Sequence, residues 1–503
     1  MNNMIASNIR RLSLTVLMVF CVSSFPLGVK SLIAEDAFES LLKKIPGSAN
    51  ALMLVDADAV LASPLAIKSG WNLGQGKGPL AQPLILPPEA SHLVIASQMN
   101  PNHGFQQAYE LAVVRLAEPL TMRSIARAEG GYVDLIGAVQ AAWSPTDSYF
   151  VQNGSDTIGL MFPANRQAAG RWAEFALNNQ KLEISPYLQG ARLLLGNQTQ
   201  IVMAFDLENS VQPHELRRSL TESPLVGDDA EKRQRFEQAL FGLKGVTLGV
   251  SLTDRAQGTL LVDFSTPPNA LGQDAKPLVL AALEKFGVYV DDIQNWSATY
   301  RSDAIELSGP LSEAGMRRIF SLLEMPSSNF SRLKEETPAG ESESDKIAQA
   351  SVRYFQAIST LLDDMQHEFK TNRDARQSYA PVYMERYARK IDRLPILNVD
   401  EELLAYGSSV AETLRRNSVT TKTAGVEQGV QKSAVYGNYE YVYDQYGYTS
   451  RVNSAATKQN IKTQIERQQE GEARKVRFES WKDIEDATAS IRVRMTQKYQ
   501  MEF

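Results

Sequence analysis

Cysteine and histidine are scarce here: one Cys and four His in 503 residues. The lone thiol, Cys21, lies in an apolar N-terminal segment. Removal of that segment after Ser24 leaves a mature chain without disulfides, cysteine-ligated zinc or a cysteine nucleophile. Of the histidines, His92 begins an apolar run, His103 sits in the turn P-N-H-G, His214 opens a helical pattern and His367 lies on a heptad-like stretch. No two have the spacing of a metal pair. His214-Glu215 is followed by Leu216-Arg217-Arg218, so H-E-x-x-H is absent. A metal or cofactor is not expected.

Other absences narrow the function further. Lys and Arg number 52 against 58 Asp and Glu, a net charge of −6, which gives no electrostatic reason to expect nucleic acid. G-x-S-x-G does not occur. Ser40-Leu41-Leu42-Lys43 and Ser331-Arg332-Leu333-Lys334 fit S-x-x-K without the companion motifs of that chemistry. The glycine-rich Gly74-Gln75-Gly76-Lys77-Gly78 fails as a phosphate loop. Trp71 stands where the first glycine belongs, and Gly78 replaces the magnesium-binding hydroxyl. No catalytic set is present, and the chain leans away from being an enzyme.

What is present begins with an address. Arg10-Arg11 precede the apolar run Leu12–Val22, and Val22-Ser23-Ser24 offers small residues for cleavage. Residues 1–24 therefore read as a signal peptide, with cleavage as late as residue 34 the second choice and an uncleaved anchor the alternative. Phe20 is bulky where lipoprotein processing at Cys21 wants a small residue. The expectation is an exported protein, periplasmic or extracellular, with no membrane span after cleavage.

The body reads as α+β. Ala51–Val55 is apolar at every position, as in a strand covered on both faces, and ends at Asp56. A second such run, Ile201–Phe205, ends at Asp206. Ser63-Pro64-Leu65 matches Ser223-Pro224-Leu225, and Tyr132-Val133-Asp134 matches Tyr289-Val290-Asp291. The shared order predicts an internal duplication, β-α-ββ-α-ββ-α twice, over residues 35–180 and 181–326. A twofold repeat of this kind gives two sheets side by side, or one large sheet with helices on one face. Asp56 and Asp206 then stand at equivalent strand ends, where each caps the following helix or offers a carboxylate for binding. Four N-x-S/T sequons stand at Asn153, Asn197, Asn295 and Asn329.

Residues 327–345 are polar and acidic and read as a flexible linker. Past them, residues 346–503 are rich in helix formers. Ile347, Ser351, Tyr354, Ile358, Leu361 and Met365 recur at heptad-like spacing, which predicts an all-α, partly coiled-coil C-terminal region. Residues 422–432, low in apolar side chains, read as a loop, and Gly471 as a break or bend in a long final helix. Residues 436–448 are dense in tyrosine. Tyr436, Tyr439, Tyr441, Tyr443, Tyr446 and Tyr448 form a candidate binding surface, or clamp the helices together.

The function these features support is non-enzymatic binding or scaffolding in the cell envelope, with a protein partner or self-association through the C-terminal helices. The alternative is an extracytoplasmic hydrolase or carbohydrate-active enzyme whose carboxylates, Asp56 and Asp206, meet only in the fold.

Overall fold

The structure is a computed structural model that describes residues 38–71, 83–101, 106–285, 290–325, 343–371, 380–434, 440–443, 449–452 and 455–503, apart from single positions 85, 88, 197, 224, 227, 228, 395 and 397. The leader and Cys21, the glycine-rich loop, most of the linker, and Tyr436, Tyr439, Tyr446 and Tyr448 lie outside the described residues.

Among the described residues the first element is a short helix, α1 (38–42). Then come β1 (Ala51–Asp56), α2 (Ala57–Leu61), α3 (Pro64–Ser69), β2 (Ala90–Asn100), β3 (Gln106–Leu116), α4 (Met122–Glu129), β4 (Tyr132–Ile136), β5 (Val139–Ser144), β6 (Ser148–Gln152), β7 (Thr157–Phe162) and α5 (Arg166–Asn178). A second run follows: α6 (Pro186–Ala191), β8 (Ile201–Asp206), α7 (Pro213–Glu222), α8 (Ala230–Phe241), β9 (Leu243–Leu252) and β10 (Ala256–Phe264). After a 3-10 turn at Pro268–Asp274, it ends with α9 (Ala275–Lys285), α10 (Asp291–Gln294), β11 (Ser297–Tyr300), β12 (Ala304–Leu311) and α11 (Glu313–Phe320).

All twelve strands join one antiparallel sheet, in the order β11-β12-β10-β9-β8-β1-β2-β3-β7-β6-β5-β4. The two apolar runs are its centre: β1 pairs β8, with Met53 opposite Met203. Covered on both faces, β1 is apolar from Ala51 to Val55 because neither side meets water there. One face packs on α2 to α4 and, farther along, on α8 to α11. The other face, with Leu52, Leu54, Val94 and Val113, is covered by α1, α5 and α6. Helices therefore flank the middle of the sheet on both sides, where the sequence allowed one-sided cover. The run beginning at Tyr132 proves to be a hairpin: β4 turns at Gly137, whose φ is 62°, into β5, a strand the sequence reading missed.

Tryptophans brace each end through glycines. The indole of Trp296 lies over Gly258 and Gly309, which face each other across β10 and β12; a Cβ at either glycine would fall within 2.4 Å of the ring. Its Nε1–H donates to the Pro310 carbonyl at 2.8 Å. Trp172 sits in the same way over Gly159 of β7 and donates to the Lys44 carbonyl at 2.9 Å.

The C-terminal part consists of α12 (Glu343–Thr371), α13 (Ala380–Asp392), α14 (Glu401–Ala434), a hairpin of β13 (Glu440–Tyr443) and β14 (Thr449–Val452), and α15 (Ala455–Tyr499). It has its own core, built from Phe355, Ile358, Leu361, Tyr387, Leu403 and Ile491. Several expectations are corrected here. The region is not all-α, because the tyrosine-rich segment supplies a hairpin. Residues 422–432 continue α14 as helix, and α15 runs unbroken through Gly471. Helix α12 already begins at Glu343, inside the stretch read as linker. The heptad-like seam faces inward: Tyr354, Ile358, Leu361 and Met365 are buried against the chain's own helices. It is therefore used within the fold and does not form an outward association surface.

Asp400 latches the two ends of this bundle. Its carboxylate accepts from the Tyr499 hydroxyl at 2.5 Å and the Glu402 N–H at 2.8 Å, and pairs with Lys498 at 2.8 Å. Burial works against the charged form, yet Lys498, Tyr499 and the Glu402 N–H together hold the Asp400 pKa below the ordinary carboxylate range. A depressed carboxylate stabilises above its unfolded pKa and loses that contribution as pH falls through its folded pKa. The helical signal is therefore expected to melt at lower temperature at pH 3 than at pH 7. Asp400→Asn should flatten that dependence and cost about 2 kcal/mol at pH 7.

Candidate functional site

The second half of the sheet carries a cavity of about 180 Å³. Its floor is the inner face of β8 to β10 and β12, where alternation puts Met203, Leu248, Leu260, Val262 and Ile305 on one side. Its roof is α8 through Leu240 and α9 through Leu278, Val279 and Leu283. Ile319 and Leu322, on and just after α11, form an end wall. All twenty lining residues are hydrophobic. Floor residues are buried, whereas Leu240, Leu278 and Leu283 are half-buried and Ala282 is exposed, so the space opens to solvent beside α8 and α9.

Helix α9 explains why the roof stands off. Its sequence A-K-P-L-V-L-A-A-L-E-K is apolar on nearly every side, yet no residue from Leu278 to Leu283 is fully buried. A helix with that composition ordinarily lies inside a core. This one is held from its N-terminal end. Lys276 Nζ donates to the carbonyls of Gln294 and Trp296 at 2.8 and 2.6 Å, and Asp274 just before the helix pairs with Lys232 of α8 at 2.8 Å. Anchoring at the N-terminal end leaves the apolar middle spanning the void.

The aspartates are placed differently from the cavity. Asp56 Oδ1 accepts from the Ala59 N–H at 2.9 Å and caps α2, and Asp206 Oδ1 accepts from the Glu208 N–H at 3.0 Å. Because β1 and β8 are antiparallel, Asp206 lies level with Asn50, whose carbonyl accepts its N–H at 2.8 Å. Asp56 is six residue steps away, about 20 Å. Carboxylates that share a glycosidic bond stand roughly 5–9.5 Å apart. These two do not converge on a cleft. Tyr441 and Tyr443 lie on β13, at alternate positions of an extended strand. Among the described residues, no group of three or more His, Cys, Asp and Glu side chains is placed to hold a metal ion. None of the described helices is long and apolar enough to cross a membrane. Of the sequons, Asn153 has its side chain buried, at 2% exposure, and is closed to modification in the folded state.

A second, polar gap of about 10 Å³ lies between the sheet body and the bundle, bordered by Gln107, Glu110, Ser321, Glu324, Arg386 and Arg389. Glu110 is buried, which pushes its pKa up; Arg393 at 3.4 Å and the Glu324 N–H at 2.9 Å pull it back. Around this gap the bundle docks by charge. Arg317 of α11 makes a bidentate pair with Asp364 of α12, at 2.7 and 2.9 Å, and Lys390 of α13 pairs with Glu324 at 2.5 Å. Arg393 lies over the Phe162 ring and Arg318 over the Tyr383 ring.

No family model matches the chain, and no curated protein matches it. Among solved structures, the chain is similar to crystal form III of TP0453. That match has 10% identity and a TM-score of 0.35 over 56% of this chain and 98% of that one. Crystal form I of the same protein gives 10% identity and 0.33 over 56% and 96%. Nothing about function is carried over from these likenesses.

Proposed function

We propose that this is a non-enzymatic binding protein, working outside the cytoplasm, that holds an apolar chain in the cavity beneath α8 and α9. The cavity carries the reading. Because the space opens to solvent beside α8 and α9, its apolar lining meets water when nothing fills it, and covering that lining favours an apolar chain. An engineered apolar cavity of about 150 Å³ takes benzene, so this one encloses about seven or eight carbon atoms. With no polar side chain among the described lining residues, a ligand's head group must stay at the mouth.

The size makes the reading quantitative. Burying each methylene is worth about 0.8 kcal/mol, so each added carbon should tighten binding about fourfold. Seven methylenes give about 5–6 kcal/mol, a Kd on the order of 0.1 mM. Titrating straight-chain carboxylates of four to twelve carbons by calorimetry should show that slope up to about eight carbons, then a plateau. Heats independent of chain length would contradict it.

Val262→Phe separates a binding cavity from ordinary packing. Its ring points from the floor into the void, so it should raise stability by about 1–2 kcal/mol while removing octanoate binding. In a core already filled, the same change would overpack and lower stability by about 1–3 kcal/mol. Thermal unfolding with and without octanoate reads both.

The export signal at residues 10–24 supports the extracytoplasmic part of the reading, and cell fractionation tests it. The internal duplication is part of the same proposal. From β8 the second half runs β-αα-ββ-αα-ββ-α, and the first half runs β-αα-ββ-α-ββββ-α, with one helix fewer and one hairpin more. Superposition of β1–β3 with α4 onto β8–β10 with α9 tests it.

A further inference from the structure

Helix α11 has two faces with different work, and both are specified by consecutive residues. Ile319, with Leu322 just beyond the helix, forms the end wall of the apolar cavity. On the same turns, Arg317 holds Asp364 of α12, and Arg318 covers Tyr383 of α13. The connection continues through Leu322 itself. Its side chain lines the cavity, while its carbonyl accepts from Gln107 Nε2 at 3.2 Å. Gln107 Oε1 in turn accepts from Arg389 of α13 at 3.2 Å. Two residues on, Glu324 offers its N–H to Glu110 and its carboxylate to Lys390. The wall of the cavity and the docking site of the helical bundle are therefore one element.

We propose that α11 couples occupancy of the cavity to docking of the C-terminal bundle, an inference that rests on the apolar-chain reading above. The docked arrangement is the one in which Ile319 and Leu322 enclose a space of ligand size. A bound chain therefore favours docking, and docking favours the chain, by the same factor. Disruption of the bundle side should weaken ligand binding, although none of the described bundle residues lines the cavity.

The test uses the full chain and octanoate. Asp364→Asn removes the carboxylate charge that Arg317 holds and leaves every cavity residue unchanged. Its octanoate Kd should rise about fivefold or more, and a Kd that is unchanged or tighter would overturn the coupling. A second measurement needs no variant. Saturating octanoate should slow amide exchange in α13 of the unaltered protein. Octanoate that binds without changing exchange in α13 overturns the coupling and leaves the binding reading standing. Absence of octanoate binding overturns both.

Discussion

Trp296→Ala should lower the unfolding free energy of the sheet body by about 3–5 kcal/mol, the range for deleting a large buried aromatic side chain. The structure places the effect near the top of that range. The two glycines beneath the indole have no side chains to close the gap, and the Pro310 carbonyl loses its donor. The Trp296 carbonyl, which receives Lys276, the anchor of α9, is kept in the alanine variant but lies on the stretch of chain that the indole fixes, so the roof of the cavity should loosen as well. For a body of this size the melting temperature should drop by roughly 10 °C, and octanoate binding should be lost. Differential scanning calorimetry with and without octanoate measures both. A drop below about 1 kcal/mol would mean that the indole does not brace the sheet end.

Arg317→Ala should be nearly as damaging, for an electrostatic reason. Arg317 and Asp364 are exposed by only 11% and 8% in their side chains, so little water reaches the pair. Removing one member leaves the other charge buried without its partner, which costs about 3–5 kcal/mol. The Arg317 side chain is held charged first by its bond to Asp364, which raises its pKa. The double change Arg317→Ala with Asp364→Ala should recover part of the loss, because no charge is then stranded. Hydrogen exchange should show the damage as faster exchange in α12 and α13, with the sheet body protected as before. Uniform loss of protection throughout would instead show that the bundle and the sheet fold as one unit.

How much of this was legible in sequence depends on the range of the signal. The central strands were legible because Ala51–Val55 is apolar at every residue, which suits a doubly covered strand. Helix α8 carries its own boundary signals, Asp229 capping its start and Gly242 following its end. Residues 422–432 were misread because a helix that continues from a packed segment needs no apolar stripe of its own. The apolar stripe of α12 was legible, but sequence periodicity does not say whether the chain's own helices or another molecule will cover it. Here α13 to α15 do.

The cavity was not legible, and the reason is physical. Leu248, Leu260, Val262 and Ile305 alternate as any half-buried strand does, and periodicity cannot distinguish a face pressed on a helix from one facing a void. One local sign was available in Leu278 to Leu283, a helix stretch apolar on nearly every side, which needs apolar cover beyond one face of a sheet. The docking charges were also beyond reach, since Arg317 and Asp364 are 47 residues apart and Glu110 and Arg393 are 283 apart.

The most direct measurement is nuclear Overhauser spectroscopy on full-length protein carrying labelled methyls in Leu, Val and Ile, with octanoate present. Cross-peaks from the chain's terminal methyl to Leu248, Leu260 and Ile305 are expected, with its carboxyl end near Leu240 or Leu283. Contacts confined to exposed positions such as Ile67 or Leu193, or none at all, would contradict the assignment of this cavity as a binding site.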